Sequence, residues 1–241
     1  MQGHVETLSV IVGGSACNAK CPFCISKMTP PGGVTPRAIQ PDMNKFQKAM
    51  QVASNMGCNT VMLTSKGEPT LWPDLITQYL HEIRSFKKIP IVELQSNGLR
   101  FVSQGKSAEG SIGGLRHTFT DPGRWSELGL DTVALSIVHW DNARNREIYC
   151  PNWDEYPDLV TTIEFLHARK LSVRLAVVML EGYIDDYEDI IQMRNFAHTY
   201  GVEQLTLRPV NNTASRDAEP AVWLWTEERK IPSDRVASFD Y

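Results

Sequence analysis

Along this chain, short apolar segments rich in β-branched residues alternate with longer segments of helical period. Leu8-Ser-Val-Ile-Val12 reads as a first strand. Asp42 then caps a helix in which Met43, Phe46, Ala49, Met50 and Ala53 share one face, and Gly57 ends it. The second strand is Thr60–Thr64. A helix over Asp74–Phe86 turns Leu75, Ile76, Tyr79, Leu80 and Ile83 inward, and Ile91–Gln95 is the third strand. The pattern loosens between Leu99 and Asp131, where Ser103–Gly114 is rich in Gly and Ser, and only a short helix around Trp125–Leu128 is expected there. It resumes with the strand Thr132–Ile137, an irregular polar and aromatic stretch over His139–Asp154, a helix over Tyr156–Arg169 and the strand Ser172–Met179. A helix over Tyr187–Tyr200, closed by Gly201, and the strand Gln204–Arg208 complete six strands. Such alternation predicts an α/β fold with a parallel sheet.

Composition fits this architecture. The 241 residues, 42% hydrophobic and 22% charged, suffice for one α/β domain with a sizeable core. The N-terminus reaches a strand at once and no apolar run approaches roughly 18 residues, so neither a signal peptide nor a membrane span is expected. A net charge of -4 offers no general attraction to a phosphate backbone, although Lys87-Lys88 and Arg144 with Arg146 form local basic clusters.

The cysteines change the picture. Three of the five stand in Cys17-Asn-Ala-Lys-Cys21-Pro-Phe-Cys24, directly after the first strand. An odd number with three bunched in eight residues argues for metal binding in a reducing, cytoplasmic compartment and against a secreted disulfide framework. A structural zinc site takes four ligands, and an ordinary cubane takes four thiolates. Three thiolates on a four-iron cluster leave one iron open to a small molecule, so the count points to catalysis. A structural zinc completed by Cys58, Cys150 or a histidine is the alternative.

The C-x3-C-x2-C spacing resembles the signature of the radical S-adenosylmethionine (radical SAM) enzymes. That family has a Gly-Gly-Glu-Pro turn after its second strand. Here Ser65-Lys-Gly-Glu-Pro69 follows the second strand, keeping Gly67, Glu68 and Pro69 with Lys66 in place of the first glycine, and Ser96-Asn97-Gly98 follows the third. The resemblance implies a partial (β/α)6 TIM-like barrel, which six strand-helix units fit and eight would exceed, with ligands at the carboxyl ends of the strands. It also implies a [4Fe-4S] cluster on Cys17, Cys21 and Cys24, with S-adenosylmethionine chelated to the open iron. Reduction by a donor such as flavodoxin or ferredoxin would yield methionine and a 5′-deoxyadenosyl radical, which takes a hydrogen atom from substrate.

Roles for other residues follow from the same resemblance. Phe23 corresponds to the residue beside the adenine, and Gly67 and Glu68 to the turn that holds the methionine amino group. Ser65, Ser96 and Asn97 belong to the cofactor-binding turns. Ser136 is a candidate for the ribose or carboxylate, and Arg174 and Arg208 for the carboxylate, provided strand alternation turns them inward. Lys66 and Cys150 are candidates for contact with substrate, each set against an ordinary reading as a solvated lysine and a packed thiol. His139, Trp140, Asp141, Asn145, Arg146 and Tyr149 are candidates for lining the substrate cavity. Residues 1–210 form the expected core, and 211–241, with Trp223 and Trp225, a tail that covers the barrel mouth or continues into a longer chain. Among subgroups the chain resembles the small single-cluster enzymes of molybdopterin and deazapurine biosynthesis, with a nucleotide-like molecule, a peptide or a partner protein as substrate. A non-catalytic zinc module and an RNA-modifying member of the superfamily are the competing readings; nucleic acid is not indicated.

Overall fold

The computed structural model describes residues 4–37, 40–86, 89–101, 111–112, 115–116, 120–213 and 219–237. Lys87 and Lys88, and all of Ser103–Gly114 except 111–112, lie outside the described residues. In chain order the elements begin with β1 (Thr7–Ile11), a 3-10 turn (Ile25–Lys27), α1 (Met43–Asn55), β2 (Thr60–Thr64), a second 3-10 turn (Pro69–Leu71), α2 (Pro73–Ile83) and β3 (Ile91–Ser96). There follow a small antiparallel hairpin of β4 (Ser111–Ile112) and β5 (Leu115–Arg116), then α3 (Gly123–Glu127), β6 (Thr132–Ile137), α4 (Asn142–Tyr149), α5 (Leu159–His167) and β7 (Ser172–Met179). The chain ends with α6 (Tyr187–Thr199), β8 (Gln204–Pro209), α7 (Pro220–Glu228) and α8 (Ser233–Ala237).

Six strands pair in the order β1-β2-β3-β6-β7-β8, all parallel. The outer strands β1 and β8 do not pair with each other, so the sheet is an open partial barrel, as expected. Local chemistry sets the element ends. The Asp42 side chain accepts from Lys45 N to start α1, Asp158 accepts from Thr161 N to start α5, and Asp186 accepts from Asp189 N to start α6. Gly57 and Gly201, both at positive φ, follow α1 and α6.

Strand alternation separates the two faces of the sheet. In β7, Val173, Leu175, Val177 and Met179 are buried in the main core with Leu75, Ile76, Leu80, Ile163, Leu166 and Met193 from the helices. The intervening Ser172, Arg174, Ala176 and Val178 are half-buried, and Val178 borders a cavity at the carboxyl ends of the strands. The half-buried row is therefore the barrel interior, and it includes Arg174.

The stretch 139–154 is not irregular throughout, because α4 occupies its middle. Apolar periodicity cannot reveal this helix, whose only large apolar residues, Ile148 and Tyr149, come at its end. Its support is polar: Asp141 accepts from Ala143 N, while the fully buried Asn145 accepts from Val138 N at 2.9 Å and donates to His139 O at 2.7 Å. The tail packs on the barrel. Ile231 joins the main core, and Glu219 N donates to Lys27 O at 2.9 Å.

Candidate active site at the mouth of the barrel

A cavity of about 730 Å³ opens at the carboxyl ends of the strands, within the range of ligand pockets, roughly 300–1,000 Å³. Cys17, Cys21 and Cys24 line it together with Phe23, Ser65, Lys66, Gly67, Glu68, Ser96, Asn97, Ser136 and Arg208. Residues separated by almost two hundred positions in sequence thus meet at one site, because parallel strands deliver their loops to the same end.

The turn after β2 is built around Gly67 and Glu68. A Cβ on Gly67 would lie 2.0 Å from Ala16 O, so only glycine lets this turn run against the cysteine loop, where Glu68 N donates to Ala16 O at 3.0 Å. The Glu68 carboxylate is buried and accepts four hydrogen bonds: Thr70 N at 3.0 Å, Thr70 Oγ1 at 2.6 Å and Ser96 Oγ at 2.8 Å on one oxygen, and Asn97 N at 2.9 Å on the other. Burial pushes this carboxyl above its ordinary value, and the four donors oppose the shift. Its side chain braces the second-strand turn against the end of β3. Ser65 Oγ donates to Gly14 O at 2.9 Å, and Asn97 Nδ2 donates to Asn18 Oδ1 at 2.8 Å and to Cys17 Sγ at 3.8 Å. Both turns hold the cysteine loop.

Lys66 points neither into solvent nor at an anion of the protein. Its ammonium donates to Thr29 Oγ1 at 2.7 Å and to Pro30 O at 2.8 Å, fastening the Pro/Gly-rich loop to the second-strand turn. Arg174 faces the interior, but its guanidinium pairs with Glu93, one row deeper in the barrel, and it does not line the cavity. The sequence could not assign that partner, 81 positions away on another strand. Arg208 does line the cavity and is exposed.

Cys150 is not beside the cavity. It is buried with Leu99, Ile148, Tyr149, Trp153, Tyr156 and Leu180 in a satellite core, where burial pushes its thiol up to about 12. That environment makes it a packed apolar residue rather than a reactive thiol. Cys58 is likewise buried. Of the six cavity candidates in 139–149, only Tyr149 lines the cavity; Asp141 and Asn145 support α4, and Arg146 donates to Asp154 O.

The three thiols have the chemistry that an iron–sulfur cluster requires. Desolvation pushes Cys17 up to about 12 although part of the residue stays open to the cavity, with Glu68 and Cys24 adding to the shift; Cys21 is raised by the same causes, burial first and then Cys17 and Cys24. Thiols held this high ionise near neutral pH only against a metal charge. No histidine or fourth cysteine lines the cavity among the described residues. This donor set fits a cluster with one open iron.

Comparisons with known proteins agree with this geometry. The family model of the Radical SAM superfamily matches residues 11–196. No match was found among curated protein sequences. Among solved structures, histidine-tagged anSMEcpe with bound AdoMet superposes with a TM-score of 0.63 at 14% identity, over 97% of this chain and 55% of that one. HydG, a maturase of the [FeFe]-hydrogenase, gives 0.60 at 12% identity over 98% and 48%, and a radical SAM methyltransferase from Sphaerobacter thermophilus gives 0.59 at 15% over 96% and 61%. At these identities the likeness is one of fold, and the chain spans about half the length of the first two structures.

Proposed function

The chain belongs to the radical SAM superfamily, whose enzymes use a [4Fe-4S] cluster and S-adenosylmethionine, and we propose that it binds both and abstracts a hydrogen atom from a substrate held in the same cavity. One observation carries the reading: three thiols, with no fourth cysteine or histidine beside them among the described residues, face a cavity they share with the second- and third-strand turns. When bound, the cluster and cofactor supply reductive cleavage of a sulfonium C–S bond to methionine and a 5′-deoxyadenosyl radical.

The protein's own residues bind, orient and enclose. Cys17, Cys21 and Cys24 hold the cluster as soft ligands. Glu68, through its bonds to Thr70, Ser96 and Asn97, keeps the two turns at a fixed spacing beside the cysteine loop. The main chain of Gly67 and Glu68 then offers the methionine amino group a rigid acceptor edge, and Phe23, packed edge-on against Tyr149 and tilted against Trp225, offers the adenine an ordered wall. Ser136 takes the ribose. Arg208 takes the carboxylate, since Arg174 is committed to Glu93. The tail covers one side of the site through Trp225 and the Glu219–Lys27 contact, which limits water access to a reactive intermediate.

A reduced flavodoxin or ferredoxin is the electron donor under this reading, and a cytoplasm is the compartment. Among the described residues no helix is long and apolar enough to cross a membrane. The cavity volume leaves room for a small molecule or a side chain of a peptide or partner protein beside the cofactor.

The test is electron paramagnetic resonance on anaerobically reconstituted, dithionite-reduced protein with and without S-adenosylmethionine, followed by chromatography for 5′-deoxyadenosine. A reduced four-iron signal that changes on adding the cofactor, with 5′-deoxyadenosine formed, is expected. Colourless protein holding stoichiometric zinc, with no signal and no cleavage, would overturn the proposal.

A further inference from the structure

Two buried hydrogen-bond donors beside the cysteine loop have no acceptor in the protein: the Tyr149 hydroxyl and Asn18 Nδ2. Tyr149 is 2% exposed and Asn18 is 8% exposed, so bulk solvent reaches neither side chain freely. A buried donor left unpaired costs about 1–3 kcal/mol, and such groups commonly mark an absent ligand or ion.

Both donors are held in place by rigid neighbours. Tyr149 is the last residue of α4, which Asn145 ties to the end of β6. Its own carbonyl accepts from Lys20 N at 2.8 Å, one residue before Cys21. The ring meets Phe23 edge-on at 6.3 Å and borders the cavity, and Cys21 packs against the same satellite core as Tyr149. Asn18 follows Cys17 directly, and its carbonyl oxygen is taken by Asn97 Nδ2, which leaves only its own amide hydrogens free.

We propose that Tyr149 is a positioning residue for the iron–sulfur cluster, its hydroxyl donating to a sulfur atom on the Cys21 side while Asn18 Nδ2 donates on the Cys17 side, and that these bonds raise the cluster's reduction potential. The inference rests on the cluster reading above. Each added electron makes the sulfurs better acceptors, so a fixed donor stabilises the reduced state more than the oxidised one. The same hydroxyl is a liability without the cluster and an asset with it.

That reversal supplies the experiment. Tyr149→Phe keeps the ring and removes the hydroxyl. Wild type, Tyr149→Phe and Asn18→Asp, which retains the acceptor for Asn97 but loses the donor, are each reconstituted anaerobically and assayed for iron and sulfide. Their midpoint potentials are then measured by redox titration followed by electron paramagnetic resonance, and apo and loaded Tm values are compared. We expect full iron loading in all three and a reduction equilibrium roughly three- to tenfold less favourable in Tyr149→Phe, where tenfold corresponds to about 59 mV for one electron. Asn18→Asp should shift in the same direction. The apo Tm of Tyr149→Phe should hold or rise while its loaded Tm falls relative to wild type. Tyr183→Phe, whose hydroxyl instead faces Glu147 at 3.2 Å, should not move the potential. An unchanged potential in fully loaded Tyr149→Phe would overturn this inference, whereas failure of wild type to load iron would overturn the proposed function instead.

Discussion

The main-chain amide of Asn97 donates to the Glu68 carboxylate at 2.9 Å, joining the turn after β2 to the end of β3 beneath the cysteine loop. Because Glu68 also accepts from Thr70 and Ser96, its removal would strand several buried donors together. Glu68→Gln keeps the shape but turns an amide N–H₂ toward a donor, at a cost of about 1–3 kcal/mol. Glu68→Ala should cost more and lower the Tm further. Both variants should also lose iron faster to a chelator after reconstitution, since the turn braces the loop that carries Cys17.

Iron loading should separate the five cysteines into two groups. Cys17→Ala, Cys21→Ala and Cys24→Ala are each expected to abolish the cluster absorbance and all formation of 5′-deoxyadenosine. Cys58→Ala and Cys150→Ala should load iron as wild type does, because both thiols are buried away from the cavity. Their cost should appear only in stability, about 1 kcal/mol for a small buried group. Iron analysis and thermal unfolding on the same samples check both halves.

Lys66→Gly places the family's usual residue in the second-strand turn and removes two charge-assisted hydrogen bonds to the loop at Thr29 and Pro30. The loop also carries Gly32 and Gly33 at positive φ, and its remaining hydrogen bonds, Thr29 Oγ1 to Ile25 O, Val34 N to Pro31 O and Ser15 N to Thr35 O, leave its tip untethered to the second-strand turn. We expect limited proteolysis within residues 29–34 to become several-fold faster while global stability changes by only about 1 kcal/mol, as for other partly exposed charged contacts. Unchanged cleavage at that loop would remove the tethering role.

Asp158 gives a prediction in pH. Burial pushes its carboxyl up, but the hydrogen bonds from Thr161 N, Thr161 Oγ1 and Asn142 Nδ2 outweigh it and hold the value below the ordinary one. A folded-state value below the unfolded one means that its contribution is complete above the ordinary carboxylate value, about 3.9, and is lost as pH falls through that value toward the depressed one. Asp158→Asn keeps a cap on α5 and should flatten the stability profile in this acidic window, while Asp158→Ala should cost about 1 kcal/mol at neutral pH. Chemical denaturation across roughly pH 3 to 7, an interval that spans the reference value, measures both.

Sequence made the barrel readable wherever one physical signal was enough. Asp42 and Gly57 mark a helix by capping and left-handed backbone, and Ser172–Met179 reads as a strand, whose core and interior faces the structure then separates. The cysteine loop and the two turns were readable because their residue types and spacing carry the chemistry. What escaped were features held by polar contacts across distance. The helix α4 depends on Asp141 and a buried Asn145 rather than on an apolar stripe, though Asp141 before a helix-compatible segment was a usable capping signal. Cys150, a candidate for substrate contact from its place after β6 with packing as the ordinary reading, takes the packed place, because α4 leads it into the satellite core.

Arg174 and Arg208 both lie on the barrel interior, yet they should respond oppositely to replacement. Arg174 pairs with Glu93, whose side chain is 7% exposed and whose carboxyl is pushed up by burial and pulled back by Arg174, Gln95 and Arg208. Arg174→Met leaves that carboxylate buried and unpaired, a loss on the order of 3 kcal/mol near neutral pH. With its folded-state value raised further above the unfolded one, Glu93 would take up a proton as pH falls, so the deficit should shrink toward acid and grow as pH rises through the raised value. Adding Glu93→Gln should recover most of the loss, giving a coupling energy of about 2 kcal/mol in a double-mutant cycle. Arg208 is exposed to the cavity and makes no close ion pair among the described residues, acting on Glu93 only at longer range. Arg208→Gln should therefore leave the Tm within error and weaken S-adenosylmethionine binding by roughly tenfold or more, the loss expected of one charge-assisted carboxylate contact. Equilibrium unfolding and cofactor titration on the two variants separate these roles, and a destabilised Arg208→Gln with unchanged cofactor affinity would reassign Arg208 to the barrel framework.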